Sequence, residues 1–333
     1  MSLIDRPVIN RLSDGRLQMR HGPIELVIKA FGSESEVALA YQQAAVAFGT
    51  VLNDLASELG ELRKPARVND IGAGNCAPAV SMHQAASAFA DSCFLTPMIA
   101  VAGAVADHIL EQMIAGRDLS RAYVNNGGDI ALHLNKDECF EVAVCADPLK
   151  RKISSKTCIS QCSGIRGIAT SGWRGRSHSL GIADAVTVLA SSAAVADASA
   201  TLIANAIDLP NHPSIHREKA TELSPDSDLA ERGVTVDVGE LTPADARTAL
   251  AAGKYRAQKM IDDKQIIGVY AILNSEEFSL HPNIDPKIDN GKEFRIGTAA
   301  TISQEILSDL PASKQAIYQE KQQQFRARQM RAG

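Results

Sequence analysis

The chain has 333 residues, enough for one large domain or two modest ones with ample core. Its composition, 45% hydrophobic and 22% charged, is that of an ordinary globular protein. A net charge of -5 without a long basic run argues against nucleic acid or an anionic membrane surface as partner.

The N-terminal residues carry Asp5 and Arg6 and no apolar signal core, so a cytoplasmic location is expected. Reduced cysteines follow from that location; Cys158 and Cys162 form a C-x3-C pair with no second pair nearby, which favours ordinary thiols over zinc. The apolar run 94–106 holds Thr96, Pro97 and Gly103 and is too short to span a bilayer.

Residues 22–30 alternate as a strand, and Ser33 with Glu36 reads as a capping box opening a long amphipathic helix to about Leu62. A glycine-rich turn covers 68–76, and helical segments follow over 77–91 and 98–116. Strand, tight turn and strand are expected over 122–134, with another strand at 140–144 and a polar loop over 151–166. Ala185 to Ala190 is an apolar strand leading into a small-residue helix that carries Asp197 and Thr201. Residues 208–232 read as a connecting loop. A strand at 234–238, a helix from the N-cap Thr242 to Asp262 and an apolar strand at 265–273 close the body. The division expected is one domain over 1–280 and a polar, helical C-terminal arm over 281–333, lying on the body or on another subunit of a homo-oligomer.

Asp197 and Thr201 stand four apart, so on a helix their oxygens share one face, a half-site for a hard cation such as Mg2+ or Ca2+. The small apolar neighbours of Asp197 imply burial, and a buried carboxylate needs a partner. A metal ion, Arg166, Arg174, Arg176 and water are all candidates. Asn125-Asn126-Gly127-Gly128-Asp129 suits a two-residue hairpin; equally, the paired glycines would let backbone N–H groups approach a phosphate or ring. Thr170-Ser171-Gly172 is either a strand-ending turn or a pyrophosphate contact with Arg174 and Arg176 beside it. His178 is an exposed loop histidine or a general base. Asp70-Ile71-Gly72-Ala73-Gly74 has the G-x-G of a nucleotide loop, but no buried strand precedes it, and it reads as a connection.

In this order the motifs resemble the ApbE-like superfamily, the FAD:protein FMN transferases, over roughly residues 20 to 207. The resemblance rests on the apolar segment Ile99 to Asp107, the N-x-G-G-D turn ending at Asp129, the T-S-G turn at Thr170, His178 and the strand-helix Val186 to Thr201. It implies an α+β fold with a mixed, mainly antiparallel sheet packed with helices. It implies FAD or FMN as nucleotide, Mg2+ held by Asp197 and Thr201, and His178 in the site. Thr96, Gly127, Gly128, Asp129, Thr170, Ser171, Gly172 and Arg174 become the nucleotide contacts, with an acceptor flavoprotein as partner. The family's A-K-G reads Val101-Ala102-Gly103, Thr96 is nearest to an expected carboxylate, and Ser179-Leu180-Gly181 replaces a D-P-x-T-G loop. These departures point to a soluble branch of the superfamily with a changed ligand or reaction. A flavin or nucleotide binder without turnover, or an enzyme on another small substrate, are the alternative functions.

Overall fold

A computed structural model describes residues 6–91, 93–147, 152–175 and 177–281, with 141–147 and 152–157 described by backbone alone. Arg176 lies outside these residues, as does the expected C-terminal arm beyond His281. The chain divides into two compact units. One takes Met1–Phe140, Cys158–Ala169 and Leu189–Ser199; the other takes Glu141–Thr157, Thr170–Val188 and Ala200–Gly333.

In the first unit, strands β1 (Val8–Arg11), β2 (Leu17–His21) and β3 (Ile24–Gly32) form a meander. Helix α1 (Glu34–Leu62) follows, burying Ala40, Tyr41, Ala44, Phe48, Val51, Leu55, Glu58 and Leu62. Those positions recur every three to four residues, which puts them on one stripe facing the core. Ser33 accepts the Glu36 N–H at 3.3 Å, half of the expected capping box. The other half is absent because the Glu36 carboxylate accepts instead from the Asp118 N–H at 2.9 Å.

Helices α2 (Ala77–Ser87) and α3 (Val101–Ile114) come next, α3 being entered through a 3-10 turn at Pro97–Ala100. Strands β4 (Leu119–Asn126) and β5 (Asp129–Leu134) pair antiparallel, with Asn126 opposite Asp129. Gly127 and Gly128 between them have φ of +64° and +120°, so this is the tight two-residue hairpin. β6 (Cys139–Asp147) and β7 (Lys152–Ser160) form a two-stranded ribbon. The polar stretch read as a loop is therefore partly strand; a ribbon needs backbone pairing and no apolar face. The start of β8 (Gly167–Ser171) then pairs with β5, Ile168 opposite Ile130. The strand order in this unit is β1-β2-β3-β4-β5-β8.

β9 (Ala185–Ala190) leads into α4 (Ala193–Ala206). The rest of the second unit contains the ribbon of β10 (Ile215–Lys219) and β11 (Gly233–Val238), separated by the short α5 (Ala220–Leu223). β10 and α5 fall within the stretch expected to be a loop. Helix α6 (Pro243–Asp262) has the full capping box, Thr242 and Asp245 bonding reciprocally. β12 (Gly268–Leu273) is buried along its whole length and turns through Asn274 and Ser275, both left-handed, into β13 (Glu276–Leu280). Strand β12 lies between β9 and β13. Helices with a mainly antiparallel sheet make the fold α+β, as expected from the motifs.

Candidate functional site

The first unit brings α3 and the start of α4 into closer contact than any side chain would permit. A Cβ at Gly103 would lie 2.2 Å from the Ala193 carbonyl oxygen, and one at Gly167 would lie 2.0 Å from Ser192 backbone atoms. Glycine is required at both places by space rather than by conformation, since neither has a positive φ. The chain uses this contact to solve two end problems at once. Each helix begins with N–H groups that have no partner inside the helix.

Asp197 of α4 accepts the Gly103 N–H at 3.0 Å and the Ala102 N–H in the first turn of α3. Asp107 of α3 accepts the Ala193 and Ala194 N–H groups, both at 2.9 Å, in the first turn of α4. Ser192 adds a bond from the Val195 N–H. Each helix therefore supplies the carboxylate that caps the other. The Asn126 amide at the end of β4 donates to the Ala102 carbonyl at 3.0 Å, tying the N-x-G-G-D hairpin to the same turn.

This arrangement answers the question of what partners Asp197. Arg166 bonds the carbonyls of Ile165 and Gln161, and Arg174 pairs with Asp184 at 2.6 Å. The hydrogen bonds that Asp197 accepts come from the main chain of α3. Two N–H bonds supply no full positive charge, and no ion pair with Asp197 is present among the described residues. Burial, and then the negative charge of Asp129, hold the Asp197 carboxyl well above the ordinary range, against the opposing pull of those bonds. Burial likewise pushes Asp107 up to about 6.

Of the expected nucleotide contacts, Thr96, Gly127, Gly128 and Asp129 belong to the first unit. Thr96 is buried before the 3-10 turn, and its carbonyl accepts the Ile99 N–H at 3.1 Å. Gly128 donates its N–H to the Asn125 side chain at 2.8 Å, so that amide is committed within the hairpin. Asp129 stands close enough to Asp197 for their charges to repel.

Thr170, Ser171, Gly172, Arg174, His178 and Thr201 belong to the second unit. Thr201 donates to the Ser171 hydroxyl at 3.3 Å, and Thr170 shares a 2.9 Å bond with Thr187. A Cβ at Gly172 would come 2.6 Å from the Asp184 carbonyl oxygen, so the T-S-G glycine permits a close backbone approach. The Arg174 guanidinium stacks over Trp173 at 4.5 Å, while Asp184 also accepts from the Trp173 indole and the Asn274 N–H. His178 sits half-buried in the loop before Ser179.

Asp107 is the site residue that sequence reasoning did not single out. Its signal was available: it lies four residues after Gly103, so the glycine and the carboxylate occupy one face of α3. No group of three or more metal-ligating His, Cys, Asp or Glu side chains converges among the described residues.

A family profile described as AbpE bacteria matches residues 9–280. The chain belongs to that family. This bears out the resemblance carried by the motifs between Ile99 and Thr201. Relatives of this AbpE-family chain include a UPF0280 protein of Methanothermobacter thermautotrophicus, 35% identical over 173 residues, which are 52% of this chain and 63% of that one. A UPF0280 protein of Methanothrix thermoacetophila is 38% identical over 41% of this chain and 56% of that one. The matches thus span between about half and two thirds of those relatives' length. Among solved structures, the ApbE protein of Thermotoga maritima aligns at TM-score 0.43 and 9% identity, covering 86% of this chain and 99% of that one. The apo flavinyl transferase ApbE of Pseudomonas stutzeri aligns at TM-score 0.38 and 12% identity over 88% of this chain and 100% of that one. Among the described residues no helix is long and apolar enough to cross a membrane.

Proposed function

We propose that this chain is a flavin-nucleotide protein, an FMN transferase or FAD-cleaving enzyme dependent on a divalent cation. Membership of the AbpE family supports the flavin class. The observation that carries the cation is Asp197: a half-buried carboxylate beside a second carboxylate, Asp129, with no cationic side chain bonded to it among the described residues. The oxygen donors Asp197 and Thr201 on one helix suit Mg2+, which prefers carboxylate and hydroxyl oxygen. A bound Mg2+ would neutralise pyrophosphate charge, the main requirement of phosphoryl-type transfer.

In this reading the protein's own work is positioning. The nucleotide contacts that the motifs imply in the second unit are the Thr170-Ser171-Gly172 turn and Arg174. Asp184 and the Trp173 ring hold the Arg174 guanidinium in place. His178 takes the proton from an acceptor hydroxyl on a partner flavoprotein.

The test is titration of the purified full-length chain with FAD in Mg2+, followed by separation of FAD, FMN and AMP over time. FMN or AMP should appear, and should vanish with EDTA and in Thr201→Val, a variant that keeps the Asp197 cap. FAD that neither binds nor turns over would remove the proposal.

A second reading is a flavin or nucleotide binder without turnover. Ala102 standing where the family has lysine favours it, as does the use of Asp197 as a helix cap. Binding of intact FAD, with no product and no response to Thr201→Val, would select it.

A further inference from the structure

A cavity of about 490 Å³ lies in the first unit, lined by Asp107, Glu111, His133, Arg166, Ser191 and Ser192 together with apolar side chains of α2, α3, β5 and α4. That volume is within the usual span for small-molecule sites, and the mixture of apolar wall and a few polar groups is typical of them. It adjoins the N-terminus of α4, yet a bare anion would gain little from that helix end: its N–H groups are already taken by Asp107 and Ser192.

The charges on the walls are unbalanced in a specific way. Arg166 is held by two main-chain carbonyls, Ile165 at 2.8 Å and Gln161 at 3.0 Å, and meets no carboxylate among the described residues. Its guanidinium is fixed in place with its charge unspent, and its planar fork is suited to a carboxylate. Glu111 and Asp107 repel each other, and neither has a cationic partner among the described residues. Positive and negative groups thus share one cavity without pairing with each other.

We propose that this cavity binds a small zwitterion of the amino-acid class, its carboxylate on Arg166 and its ammonium beside Glu111 and Asp107. The Ser191 and Ser192 hydroxyls flank the polar end, and the aliphatic side chains of Leu110, Ile114 and Leu132 receive the ligand's side chain. A molecule with only one of the two charges would leave the opposite wall uncompensated. This site is separate from the flavin proposal and stands or falls alone.

The test is calorimetric titration of the full chain with each of the common amino acids, and with the N-acetyl and amide derivatives of any that bind. At least one free amino acid should bind, with each derivative weaker by tenfold or more. Arg166→Gln and Glu111→Gln should each weaken binding by a similar factor with an unchanged circular dichroism spectrum, whereas Lys64→Gln, which does not line the cavity, should not. Glu111 is exposed on α3, so its variant is decisive even if Arg166→Gln fails to fold. No heat from any amino acid at about 10 mM, equal binding of a derivative, or binding of inorganic phosphate that matches the amino acid would each overturn the proposal.

Discussion

Asp107 gives the sharpest test of the helix clasp. Its carboxyl titrates near 6 in the folded protein and at the ordinary 3.8 when unfolded, because burial disfavours its charge. A carboxyl raised by folding holds its proton more tightly in the native state. Its contribution to stability is therefore full below about pH 4 and is lost as pH rises through 6. The difference of about two units corresponds to about 3 kcal/mol. Urea unfolding of metal-free protein should show stability falling over this window, and Asp107→Asn should flatten the fall. Gly103→Ala tests the same contact sterically. A methyl 2.2 Å from the Ala193 oxygen forces the two helices apart, and the expected loss is about 3 kcal/mol in urea unfolding. By contrast Gly60→Ala, where a Cβ meets nothing within 4 Å, should stabilise α1 by about 1 kcal/mol.

Helix ends were the most legible elements. Thr242 before Pro243 announces the start of α6, and the structure has the reciprocal Thr242–Asp245 box there. Ser33 and Glu36 present the same pattern, but Glu36 turns to Asp118 and Arg117, a choice made by residues some eighty positions away. Local spacing could not reveal that. The expected consequence is measurable: Thr242→Ala should cost about 1 kcal/mol, and Glu36→Gln should weaken the attachment of the α3–β4 turn rather than the cap. Both can be read from urea midpoints. Strands were legible where apolar residues alternate or cluster, as in β3, β9 and β12. β7 and β10 were missed because their partners, β6 and β11, lend them pairing that their own polar residues do not advertise.

At the scale of the molecule, the family and the α+β class could be read from short motifs in order, whereas the two-unit division could not. It follows from which distant segments meet, and the first unit draws on three separate stretches of chain. The candidate site was half legible. The position of Asp197 on a buried helix was evident from its alanine-rich neighbours, but its engagement with Ala102 and Gly103 depends on contacts across 94 positions. The carboxylate's partner lay in a segment noticed for its missing lysine, not for its free N–H groups.

The crossed caps of α3 and α4 also bear on how the chain is made. On a ribosome α3 emerges some ninety residues before α4, so during that interval its opening N–H groups lack their acceptor and Asp107 lacks its donors. Contacts this distant in sequence form late and carry a loop-closure cost. A nascent chain halted at residue 190 should consequently expose the small-residue face of α3 and depend on chaperones or aggregate, whereas one released after residue 207 already holds both halves of the clasp. The same interval leaves Gly103 without the helix that only glycine admits, so damage at that position would become apparent only once α4 arrives.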